Sequence, residues 1–104
     1  MTTAREALAK WLDHLADERR ASPRTLEAYG HAVGRYLTFL EQHHGGALSL
    51  VDMGQVTAAD IRAFLAHRQG GDHPLSTRSL SQALSAVRTF HRYLDRRCDT
   101  PNAA

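Results

Sequence analysis

A single cysteine, Cys98, stands among 104 residues, so no internal disulfide can form. The fold must rest on apolar packing, and a lone thiol fits a reducing compartment. Long apolar runs are missing as well. Nothing approaches the ~18 residues of a membrane span, and the N-terminus lacks the pattern of an export signal. The expectation is a cytoplasmic chain without membrane association. Seven histidines invite a metal reading, but none sits with a Cys or carboxylate set at ligand spacing, and His43-His44 point apart on any helix or turn. Gly45-Gly46 and Gly70-Gly71 lack the preceding strand and the Lys-Ser/Thr of a phosphate-binding loop. Ser, His and Asp occur without a motif that makes them a triad. No catalytic residue, cofactor or metal is expected in this chain.

The last deficit is local. From His73 to Leu94 there is no acidic residue, while Asp and Glu are mixed with bases elsewhere. Residues 73–97 hold five Arg against Asp95 alone, and the remaining eight bases face ten acids. The net charge of +2 therefore conceals a polarised domain. Charge of this kind has two readings, an ordinary solvated face and a surface for a polyanion. What surrounds it is a globular composition, 42% hydrophobic and 23% charged, which argues against general disorder. The length suits one core and is too short for two.

Apolar periodicity predicts four helices and no strand. The first spans Thr3 to Arg19, with Leu8, Trp11, Leu12 and Leu15 on one face. Ser22-Pro23 opens the second: Ser22 caps, and Pro23 in the first turn loses no hydrogen bond that the helix needs. It runs to His43 with Leu26, Tyr29, Val33, Tyr36, Leu37 and Leu40 buried. Gly30 and Gly34 lie on one side of it, as in a close helix crossing or a close approach to a ligand. A loop follows to Val56. Thr57-Ala58-Ala59-Asp60 reads as a capping box with Asp in place of Glu, opening a third helix through Arg68 that buries Ile61, Phe64 and Leu65. Gly70 to Pro74 is a break. Ser76 or Thr77 caps the fourth helix, which continues to Arg97 with Leu80, Leu84, Val87 and Leu94 inward and His91 among them. Thr100 to Ala104 has no periodicity and reads as the start of a linker, leaving residues 1–99 as the domain.

Two of these helices share an unusual outward face. On the fourth, Arg78, Gln82, Ser85, Thr89, Arg92 and Arg96 form one stripe; on the second, Arg24, Ala28, His31, Arg35, Thr38 and Gln42 do the same, with Glu27 and Glu41 to one side. Positive charge alternating with short polar or small side chains suits a phosphate backbone approached closely.

Particular residues then carry a resemblance. Glu18-Arg19-Arg20-Ala21-Ser22-Pro23-Arg24-Thr25-Leu26-Glu27-Ala28-Tyr29 resembles the start of the N-terminal core-binding domain of tyrosine recombinases, Xer type and most like the XerC branch. Val56 to Leu65 resembles the family's short middle helix. Leu75-Ser76-Thr77-Arg78-Ser79-Leu80, continued by Leu84-Ser85-Ala86-Val87-Arg88-Thr89-Phe90-His91-Arg92-Tyr93-Leu94, resembles its last block. The pattern departs at Gly30, His31, Ala32 and Val33, where two bases, an Asp and a Leu are common. It departs also at Gln82 and Ala83, often basic in relatives, and at His91, usually an aromatic.

The resemblance implies an all-α, four-helix SAM-like bundle that lies against one face of a recombination half-site in double-stranded DNA. It implies DNA contacts from Arg24, Thr25, Ala28, His31 and Arg35 in the second helix, and from Thr77, Arg78, Ser79, Gln82, Ser85 and Arg88 in the fourth. Ser79 and Arg88 lie toward the sides of the stripe and lean most on the family. Catalysis is implied for a C-terminal domain absent here, with an Arg, Lys, His and a tyrosine that forms a 3′-phosphotyrosyl link. Tyr29, Tyr36 and Tyr93 lie in bundle helices and are not that nucleophile. This chain is accordingly expected to bind, not to catalyse, and to be monomeric alone. Full-length relatives work as tetramers, which makes the first helix, with Trp11, a candidate contact to a neighbouring subunit. Two other readings stay open: a helical module binding an acidic protein, and an unrelated helical DNA-binding regulator. Against the latter, the sequence lacks a tight helix-turn-helix joint.

Overall fold

The computed structural model describes residues 2–70 and 74–102. In chain order these form α1 (Ala4–Asp17), α2 (Pro23–His44), α3 (Leu50–Gly54), α4 (Ala58–Gln69) and α5 (Thr77–Cys98). The all-α expectation is met, with α5 as the expected fourth helix. Of the predicted break over Gly70 to Pro74, Gly71, Asp72 and His73 lie outside the described residues, as do Ala103 and Ala104 of the tail.

Each helix starts on a hydroxyl. Thr3, Ser22, Ser49, Thr57 and Ser76 occupy the N-caps, and each side chain accepts the backbone N–H three residues on. Such a cap satisfies a donor that would otherwise lack a partner and contributes about 1 kcal/mol. At Thr57 the predicted box closes in both directions: Asp60 N–H donates to Thr57 Oγ1 at 3.1 Å, and Thr57 N–H to Asp60 Oδ2 at 2.8 Å.

Ser49 and Asp52 make the same box for α3, which occupies part of the stretch expected as loop. At five residues it is too short to show helical periodicity. Left-handed residues stop the chain elsewhere: Gly45 (φ 92°) ends α2 and Asp99 (φ 50°) ends α5. Arg20 (φ 51°) follows α1, and Ala21 N–H closes onto Leu15 O at 2.9 Å. This closure of the last turn explains why α1 stops at Asp17, short of Arg19.

The central helix is α2, packed against α1 and α5, while α4 closes on α2 and α5. Trp11 stacks on Tyr29 (centroids 5.8 Å apart, planes within 6°) and meets Phe90 at 5.3 Å. Only 1% of its surface is exposed, so Trp11 is a core residue and not a contact to a neighbouring subunit. Phe64 brings α4 against α2, edge-on to Tyr36 at 5.2 Å and tilted against Phe39 at 5.7 Å.

Gly30 marks a close crossing, because a Cβ there would lie 3.2 Å from Leu12 Cδ1. Gly34 does not, its nearest neighbour being Arg5 Nη1 at 3.9 Å. That guanidinium makes a forked bond to Glu41 and a third to Thr38 Oγ1 at 2.8 Å, tying α1 to the outer side of α2.

The tail is held on the domain. Thr100 is buried, its N–H donating to Leu94 O. Asn102 Nδ2 donates to Met53 O and Val56 O at 2.9 and 2.8 Å, satisfying carbonyls at the end of α3. No described helix is long and apolar enough to cross a membrane.

Candidate nucleic-acid interface

The N-terminal parts of the two polar stripes, written some fifty residues apart, face one open cleft of about 1030 Å³. Arg24, Thr25, Ala28, His31 and Arg35 line it from α2, and Arg78, Ser79, Gln82 and Ser85 from α5. Of the residues expected to contact DNA, Thr77 and Arg88 do not line it and are exposed on α5; the stripe residues Thr38, Gln42, Thr89, Arg92 and Arg96 also lie outside it. Arg88, Arg92 and Arg96 continue as exposed bases along that helix.

The cleft is built by two matched helix starts. Ser22 caps α2 and hydrogen-bonds Thr25 Oγ1 at 3.0 Å; Ser76 caps α5 and hydrogen-bonds Ser79 Oγ at 3.1 Å. Arg24 and Arg78 thereby occupy equivalent places, each the second residue of its helix. The positive end of each helix dipole adds to its arginine's charge. Deeper along α2, Arg35 Nε donates to His31 Nε2 at 3.0 Å, which fixes the guanidinium's orientation and places the imidazole proton on Nδ1.

Sequence periodicity missed the contribution of α4. Arg68, in its last turn, lines the same cleft. Leu75 N–H donates to Arg68 O at 3.4 Å, bringing the end of α4 beside the start of α5. Burial, and then the neighbouring charge of Arg35, push the Arg68 pKa below the usual arginine range. Glu27, Tyr29, Ala32, Leu75, Ser81 and Ala83 complete the lining.

Among the described residues, four guanidinium groups thus face one carboxylate, Glu27. Among the described residues none of the four makes an ion pair with an acid, whereas Arg5 and Arg97 are paired with Glu41 and Glu18. The small side chains Ala28, Ala32 and Ser85 leave room for a bulky anion between the arginines. Guanidinium forks with hydroxyl and amide donors suit phosphate oxygens.

Two of the three tyrosines are packed into the bundle. Tyr36 is fully buried, and burial raises its phenol pKa far above the usual value. Tyr29 is stacked on Trp11. His43 and His44 diverge, the first bonded to Phe39 O and the second beside Asp52. No group of three or more potential metal ligands occurs among the described residues.

The chain resembles known proteins in the same sense. It is 43% identical over 91 residues to the tyrosine recombinase XerC of Bradyrhizobium diazoefficiens, covering 88% of this chain and 28% of the relative. It is 42% identical over 91 residues to the XerC of Nitrobacter winogradskyi, with the same coverage. To that of Mesorhizobium japonicum it is 39% identical over 97 residues, covering 93% of this chain and 30% of the relative. The chain therefore spans less than a third of the length of these relatives. No solved structure matches it. The profile of the phage integrase N-terminal SAM-like domain matches residues 8–98, and with nearly all of the bundle inside that match, the chain belongs to this family.

Proposed function

We propose that this domain is the DNA-gripping N-terminal part of a site-specific tyrosine recombinase, of the type that resolves chromosome dimers or integrates DNA. It binds duplex DNA at a recombination half-site through α2 and α5. The observation that carries the reading is the convergence of the N-terminal parts of both polar stripes on one cleft, lined among the described residues by four arginines and one carboxylate. In this reading the helix starts at Arg24 and Arg78 meet phosphates through side chain and backbone together. The short side chains between them let the sugar-phosphate chain come close. Most contacts go to phosphate and few to base edges, so this domain contributes grip and orientation more than sequence choice. The catalytic Arg, Lys, His and nucleophilic Tyr belong to a separate domain of the full-length recombinase, which assembles as a tetramer on paired half-sites.

Fluorescence anisotropy with a mixed-sequence duplex, repeated across salt, tests the reading. Binding is expected to be weak, with Kd on the order of 10⁻⁴ to 10⁻⁶ M at physiological salt, and log K is expected to fall against log salt with a slope of roughly −3 to −4. Arg24→Ala combined with Arg78→Ala should make the slope shallower by about two. A flat salt dependence, or an unchanged slope in the double variant, sinks the proposal. Capture of an acidic protein by a chain that does not shift DNA would instead favour an interaction module.

A further inference from the structure

We propose that Arg68 and Arg35 together form a phosphodiester clamp in the cleft, making α4 a third DNA-contacting helix. The inference rests on the DNA-binding reading above and assigns a role to a residue outside both helical stripes.

The geometry has three parts. Arg68 reaches the cleft from α4, held next to the start of α5 by the bond from Leu75 N–H to its carbonyl. Arg35 lines the same cleft from α2, and its charge, after burial, disfavours the charged form of Arg68. Its Nε is already committed to His31, so the guanidinium nitrogens left for an anion are the terminal pair. Among the described residues, no carboxylate pairs with either arginine.

Two guanidinium groups lining one cleft, one of them half-buried and neither paired with a carboxylate among the described residues, repel each other when the cleft is empty. A phosphate bridging them turns that repulsion into two charge-assisted contacts. Stability and binding therefore depend on Arg68 with opposite signs, a pattern that a merely structural arginine would not produce.

The test is Arg68→Gln, measured for duplex affinity across salt and for melting temperature without DNA. Arg62→Gln, an exposed base on the same helix outside the cleft, serves as control. The expected result for Arg68→Gln is a several-fold loss of affinity and a salt slope shallower by about one, with a melting temperature equal to the parent's or higher. Arg68→Lys should recover the slope but not the full affinity, because a single ammonium cannot make the forked contact. Arg62→Gln should change neither the slope nor the affinity appreciably. If the parent binds with the expected salt slope and Arg68→Gln binds equally well, the clamp is wrong and the DNA-binding reading stands. An affinity loss that tracks a lowered melting temperature also overturns the clamp. A parent chain with no salt-dependent binding removes both.

Discussion

Tyr36 and His91 form the polar contact at the centre of the bundle. The phenol oxygen lies 2.8 Å from His91 Nε2, and the ring planes meet at 72°. His91 Nδ1 is buried with no hydrogen-bond partner among the described residues, so whichever tautomer forms, one ring nitrogen goes unsatisfied. Burial pushes the His91 pKa from 6.5 down to about 4. The unfolded chain therefore binds a proton that the folded chain refuses between those values. Stability contributed by the neutral ring is complete above about pH 6.5 and is lost as pH falls toward 4, by roughly 3 kcal/mol in all. Glu41 and Asp52, whose pKa values are lowered by hydrogen bonds from Arg5 and Ser49 respectively, add losses at still lower pH. A melting series from pH 7 to pH 4.5 should show a fall of about 10 °C or more. Tyr36→Phe with His91→Phe removes both polar partners and should flatten that profile at little cost near pH 7. An equally steep profile in the double variant would exclude His91 as its source.

Among the elements, α2 shows how the same residue type carries different meanings. Gly30 lets α1 approach, with Leu12 against the space a Cβ would fill, whereas Gly34 has room for one. Both glycines are visible in the sequence at helical spacing, but only the crossing of α1 distinguishes them. Gly34→Ala should stabilise the domain by about 0.5–1 kcal/mol, since helix propensity rises and nothing is displaced. Urea denaturation reads this as a higher midpoint at unchanged slope; a lower midpoint would mean that Arg5 cannot yield. The short α3 falls in the stretch expected as loop, although a cap signal marks its start. Its Ser49-x-x-Asp52 box has the same form as Thr57-x-x-Asp60, but five residues give no periodicity to accompany it. The residues after α5 read as linker because they lack a repeat, while the bonds of Asn102 to Met53 and Val56 depend on a helix distant in sequence.

For the whole molecule, α4 joins stability to the candidate function. Phe64 is its main anchor, packed on Tyr36 and Phe39 of α2, and the same helix carries Arg68 to the cleft. Phe64→Ala should cost about 3–5 kcal/mol through lost burial and the cavity left behind, a large share of the stability of a domain this size. The check is equilibrium unfolding; a loss below about 1 kcal/mol would mean that α4 is not held by this contact. The sequence by itself determined the helical class, the caps at Ser22 and Thr57 and the two stripes that alternate arginine with small polar residues. Those depend on neighbours within a turn or two, where period and cap chemistry act directly. Only the tertiary structure decided that the N-terminal parts of the stripes face one cleft, that Trp11 lies inside, that Thr77 and Arg88 stand apart and that Arg68 lines the same cleft as Arg35. Those outcomes follow from how aromatic side chains on α1, α2, α4 and α5 interlock, and close packing among distant residues leaves no periodic trace in the chain.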